Sequence, residues 1–194
     1  MITDFDFNFI QSVGSKGLKN CQFNFPIDIC FSGSKFYICD YYNNRIQVYS
    51  KDFDFVTTLK VEYKPCKIKS TNSTICVEAV SPNGIYFYNS NDFHLIRNYN
   101  RYVGRISQIK SMYYEFNHKT QTMSCYDDNA NFKEQITLKG LDKFLTNRWD
   151  GEFIYHNGEL IIQSYSEKKV IKLFFKWKIL FKRYKTSSYY PSFP

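Results

Sequence analysis

Apolar residues along the chain fall in short runs separated by Gly, Asn, Ser and Asp, and no convincing helical period appears before the C-terminal segment. The clearest grouping predicts four strands. Ile27–Phe31 is followed by a turn at Ser32-Gly33-Ser34, then Lys35–Cys39, which ends at Asp40. The polar corner Tyr41-Tyr42-Asn43-Asn44 leads into Arg45–Tyr49, and Lys51-Asp52 turns the chain into Phe55–Leu59. Together these make an antiparallel meander. Ile27-Asp28-Ile29-Cys30-Phe31 and Ile85-Tyr86-Phe87-Tyr88 are apolar on both faces, which predicts strands buried on both sides between stacked sheets.

Comparable groupings follow. Pro65–Lys69, Thr74–Val80, Gly84–Tyr88 and Phe93–Arg97 form a second unit. A blurred third covers about 106–147, where Met123–Asn129 echoes Phe36–Tyr42. The fourth spans about 151–186: Gly151–Tyr155, a turn at Asn157-Gly158, Leu160–Ile162, Lys169–Leu173 and an outer strand at Lys178–Tyr184. Unit starts at 27, 65, 106 and 151 recur every 38, 41 and 45 residues, close to the period of four-stranded propeller blades. The expectation is one all-β domain over 1–194, a β-propeller with blades at about 27–61, 65–100, 106–147 and 151–186.

One stretch has a more specific likeness. Gly14, Gly17, Gln22-Phe23-Asn24-Phe25-Pro26 and then Tyr37-Ile38-Cys39-Asp40-Tyr41-Tyr42-Asn43-Asn44-Arg45-Ile46-Gln47-Val48-Tyr49 closely resemble an NHL repeat over about 14–60. Later units resemble it only in strand rhythm. The resemblance implies blades radiating round a channel, with residues 8–14 as the outer strand that completes a blade. Family propellers commonly carry more blades than this length allows. Three architectures remain open: a four-to-five-bladed ring, an incomplete arc with sticky sheet faces that favour self-association, or a ring completed by another chain.

Composition narrows the picture. Aromatics reach 20%, with 19 Phe and 17 Tyr, as expected of sheets packed on both faces. The net charge is +8, yet it is confined. Lys168, Lys169, Lys172, Lys176, Lys178, Lys182, Arg183 and Lys185 carry all of it, and the remaining charges cancel. As a hairpin turning near Lys176, that segment buries its apolar residues and exposes lysines. As a helix, it is basic and amphipathic, suited to an anionic membrane or a partner groove. The six cysteines include no Cys-x-x-Cys pair, and no secretory signal opens the chain, so reduced thiols and a cytoplasmic or nuclear location are expected.

Reactive constellations are sparse. His94, His118 and His156 are isolated, and no nucleophile elbow, phosphate loop or dinucleotide glycine pattern occurs. Asp127-Asp128-Asn129 reads as a turn, as does Asn72-Ser73-Thr74. Asp40, Asn43, Asn44 and Arg45 read as a structural blade corner, in which Arg45 bridges Asp40 or carbonyls. Tyr41, Tyr42 and Arg45 could alternatively grip a peptide or stack bases. The expectation is a non-enzyme with no cofactor or metal that scaffolds a protein partner. RNA binding through a basic surface is the alternative, a channel-sited lyase or hydrolase comes third, and membrane binding is a lesser option.

Overall fold

The computed structural model describes residues 1–100, 105–109, 111–117, 120–137, 152–156, 159–164 and 169–174. The chain divides into two compact units, one of residues 1–102 with 128–130, the other of 103–127 with 131–194.

The first unit opens with four short strands: β1 (Ile2–Thr3), β2 (Phe9–Gln11), β3 (Ser15–Lys16) and β4 (Gln22–Phe23). Two four-stranded antiparallel meanders follow. One is β5 (Pro26–Ser32), β6 (Lys35–Asp40), β7 (Arg45–Ser50) and β8 (Phe55–Lys60). The other is β9 (Pro65–Ser70), β10 (Thr74–Val80), β11 (Asn83–Asn89) and β12 (Leu95–Tyr99). These are the strands and turns that the hydrophobic rhythm predicts. Between β6 and β7 the chain makes one 3-10 turn, Tyr41–Asn43, closed by Asn44 in the left-handed conformation that Asn tolerates.

In the second unit, the blurred third grouping is a complete meander. Its strands are β13 (Arg105–Ile109), β14 (Met112–Asn117), β15 (Thr122–Tyr126) and β16 (Phe132–Thr137). β17 (Glu152–His156), β18 (Glu159–Ser164) and β19 (Lys169–Phe174) form a three-stranded antiparallel sheet. The expected outer strand at Lys178–Tyr184 lies outside the described residues. All-β, blade-like sheets are the architecture throughout the described residues.

The core of the first unit is the seam between its two meanders. Tyr37, Cys39, Ile46 and Val48 pack with Tyr63, Ile68, Ile75, Val77, Ala79, Tyr86 and Tyr88, all nearly inaccessible to solvent. Each fully buried aliphatic side chain contributes about 1.5–3 kcal/mol. Polar contacts fix the register across the seam: the Ile68 N–H donates to Asp28 Oδ2 at 2.8 Å, and Cys30 Sγ lies 3.2 Å from Ser70 Oγ. The phenol oxygens of Tyr63 and Tyr88 share a hydrogen bond of 2.7 Å within it.

β2, within the segment 8–14, pairs with β1. The Asp4 carboxylate accepts from the Asp6 and Asn8 N–H groups and the Asn8 amide, which reverses the chain there. One expectation needs correction: β5 is not buried on both sides. β11 is, with residues 84–88 all buried, but on β5 only the Asp28 and Cys30 side is covered, and Ile27, Ile29 and Phe31 are exposed. On that face, residues 18–22 bond to Arg45 and Gln47 of β7.

Candidate interaction surface

The corner between β6 and β7 is built round one carboxylate. Asp40 is fully buried and accepts from Arg45 Nε at 2.7 Å, Asn43 Nδ2 at 2.8 Å, Gln47 Nε2 at 3.2 Å and the Asn24 N–H at 2.7 Å. Arg45 spends its other donors on the Leu18, Lys19 and Gln22 carbonyls, at 3.0, 2.8 and 2.6 Å. Asn43 also donates to the Gly17 carbonyl, and Gln47 to that of Gln22. The guanidinium fork thus lashes residues 17–24 over the outer half of the sheet. With four hydrogen bonds made and 6% of its surface exposed, Arg45 is held inside the protein. Asn44 is exposed and supplies the turn's left-handed residue.

Tyr41 and Tyr42 stand elsewhere. The Tyr41 N–H donates to the Phe25 carbonyl and the Tyr42 N–H to that of Asn24, which brings three rings together. Phe25 lies 5.3 Å from Tyr42 and 6.1 Å from Tyr41 by ring centroids, and the two tyrosines meet edge to face at 5.0 Å. Lys64, from the segment between β8 and β9, holds its ammonium 5.6 Å from both tyrosine centroids. Phe25 and Tyr42 are 60% and 54% exposed. Beside them runs a groove of about 410 Å³, walled by Val13, Gly14, Phe23, Phe25, Pro26 and Tyr42, with Ser15, Lys16 and Asn24 completing its lining.

From Phe25 the exposed surface continues along β5. Ile27, Ile29 and Phe31 project from its open face at 37%, 53% and 56% exposure. Register places Ile29 beside Ile38 and Phe31 beside Phe36, with the latter rings 4.7 Å apart and Phe36 stacked on Phe53 at 4.9 Å. β5 is also the edge of its sheet. A row of large apolar residues on an uncovered edge strand is what a docking partner would cover.

All six cysteines are free; Cys39, Cys76 and Cys125 are buried and Cys21 is exposed. Burial pushes the Cys30 thiol up to about 11 and the Tyr37 phenol up to about 12, and it raises Cys39 well above the usual thiol range. Such groups stay protonated and unreactive at neutral pH. Among the described residues, no three His, Cys, Asp or Glu side chains are placed to hold a metal ion, and no helix is long and apolar enough to cross a membrane. His94 is exposed, with Nδ1 2.7 Å from Asp92 Oδ1.

The basic segment is only touched. Lys169 and Lys172 lie on β19, while Lys168, Lys176, Lys178, Lys182, Arg183 and Lys185 lie outside the described residues. Phe25, Lys64 and the open face of β5 are surface features that the sequence reading did not single out. Alternation marks Ile27, Ile29 and Phe31 as one face of β5 without showing whether that face is covered, and Lys64 carries no signal.

Residues 23–49 match the NHL repeat. They span β5, β6, the Asp40 corner and most of β7. Solved structures show the same architecture at low identity. BamB from Moraxella catarrhalis aligns with a TM-score of 0.54 and 7% identity over 73% of this chain and 40% of its own. The Pan2 WD40 domain from Neurospora crassa aligns at 0.55 and 10%, over 91% and 59% respectively. The computationally designed Ika4 protein aligns at 0.59 and 8%, over 87% of this chain and all of its own. The chain therefore spans 40% and 59% of the two natural structures. These likenesses show the fold, which is of β-propeller type. No curated protein matches the sequence.

Proposed function

We propose that this chain, of β-propeller type with an NHL repeat at residues 23–49, is a non-catalytic scaffold that binds a protein partner, in the cytoplasm or nucleus. The observation that carries the reading is the open face of β5. Ile27, Ile29 and Phe31 stay exposed while the opposite face of the same strand is packed against β9 through Asp28 and Cys30. At roughly half exposure, these residues and Phe25 present an apolar area on the order of 400 Å², in the range of functional patches. The strip carries no charge, so the partner it suits presents an apolar surface of its own, in another protein or in a second copy of this chain.

RNA binding through the basic residues 168–185 is the competing reading, and salt separates the two. Cross-linking of native protein is expected to capture a protein partner, or a dimer, equally at low and high salt, and the Ile29→Lys variant is expected to abolish it. A gel shift with generic RNA that is steep in salt and indifferent to Ile29→Lys would favour the RNA reading and overturn this one.

A further inference from the structure

The Phe25–Tyr41–Tyr42 cluster is unusual in what it costs. Phe25 has φ +61°, a conformation that bulky residues avoid. Phe7, Phe53 and Phe93 share that conformation, at +62°, +67° and +62°, but they sit in the turns β1–β2, β7–β8 and β11–β12, which demand it. Phe25 sits in the lead into β5, where the result is a ring placed in water. The backbone holds it there from both sides. Tyr41 and Tyr42 donate to the carbonyls of Phe25 and Asn24, and the Asn24 N–H is anchored on buried Asp40. Strain, rigidity and exposed aromatic area coincide at one site.

The site also displays its ligand preference. The electron-rich faces of aromatic rings attract cations within about 6 Å. Lys64 Nζ lies 5.6 Å from both tyrosine centroids, and Phe25 closes the third side of the cluster. The adjoining groove is lined by apolar residues together with Ser15, Lys16 and Asn24, with no acidic residue along it. Attraction therefore comes from the rings alone. That favours an alkylated ammonium, which sheds its hydration more cheaply than the compact, strongly hydrated ammonium of an unmodified lysine.

We propose that Phe25, Tyr41 and Tyr42 form a recognition site for a methylated lysine side chain of a protein partner, whose stem and flanking chain lie in the adjacent groove. Lys64 is its built-in competitor and swings aside on binding. The inference rests on the protein-interaction reading only for the source of the ammonium; the site itself can be tested without any partner.

The test titrates the full chain with the acetylated methylamide of trimethyllysine and with its neutral tert-butyl isostere, in which carbon replaces the charged nitrogen. Tyrosine and phenylalanine ring resonances provide the readout. The charged probe is expected to bind about 2- to 30-fold more tightly than the neutral one. Lys64→Ala should tighten the charged probe several-fold. Tyr42→Ala should erase the preference, and Tyr42→Phe should keep it, because the ring and not the hydroxyl does the binding. Equal binding of both probes, or no binding to Lys64→Ala with its circular dichroism intact, overturns the proposal. So does weaker binding to Lys64→Ala. Ile29→Lys is expected to leave probe binding unchanged while abolishing partner capture, so failure of the site and failure of the scaffold reading give different results.

Discussion

Replacing Arg45 with Met should destabilise the first unit more than any surface substitution. The side chain keeps its length and loses its charge and five donors. Asp40, with no exposed surface, would keep a carboxylate supported only by Asn24, Asn43 and Gln47. Removing one partner of a buried ion pair costs about 3–5 kcal/mol. The Leu18 and Lys19 carbonyls would also lose the guanidinium, at about 0.5–1.5 kcal/mol each where water does not replace it, whereas Gln22 keeps Gln47 as a donor. The expected loss is about 4–8 kcal/mol, comparable to the whole stability of a marginal domain. Urea unfolding followed by far-UV circular dichroism measures it as a fall in midpoint at constant slope. Arg45→Lys should fall between, since an ammonium keeps the charge but not the fork. The double variant Asp40→Asn with Arg45→Met should cost less than the sum of the single changes by about 2–3 kcal/mol, because no charge is left orphaned. A cost below about 1 kcal/mol for Arg45→Met, with an additive double variant, would place the pair among exposed salt bridges and refute the reasoning.

Gly14 has φ +80°, and a Cβ there would lie 2.5 Å from the Phe23 ring and 2.9 Å from the Cys21 carbonyl, so Gly14→Ala should lower stability by about 1–3 kcal/mol. Gly33→Ala meets open space at φ +55° and should cost about 1 kcal/mol; thermal unfolding of the two variants checks the order. Brief alkylation at pH near 8, read by mass spectrometry, should label exposed Cys21 first and buried Cys39, Cys76 and Cys125 last. Cys30 rises from an ordinary value of 9.0 to about 11 in the folded state, so the unfolded chain loses its proton first. Stability should therefore hold below pH 9 and fall between pH 9 and 11, by roughly 2–3 kcal/mol from this thiol. A flat urea midpoint across that window would contradict the burial of Cys30.

The strands and the corner were largely legible because their physics is local. Alternation and turn residues mark β5 to β12, and the spacing from Asp40 to Arg45 puts opposite charges on paired positions of adjacent strands. The partners that Arg45 takes beyond Asp40 were not legible. They are carbonyls of Leu18, Lys19 and Gln22, and backbone acceptors carry no sequence signature. The two-residue strands β3 and β4, which pair in parallel, are too short to show a period. The openness of β5 escaped for another reason. Ile27, Ile29 and Phe31 have the composition of a covered face, and whether a face is covered depends on what packs there. Lys64 over Tyr41 and Tyr42 is likewise a tertiary meeting of residues more than twenty positions apart.

The central claim, that the open face of β5 docks a protein, is tested most directly by placing a photo-reactive benzoyl-phenylalanine at position 31 and, in a parallel sample, at position 60. Phe31 is on the exposed strip; Lys60 is also exposed, on β8 at the opposite edge of the sheet. The account expects light-dependent cross-linking to one discrete protein species, a partner or a second copy of the chain, from position 31 alone and undiminished by high salt. Equal cross-linking from both positions, or none from position 31, would contradict it.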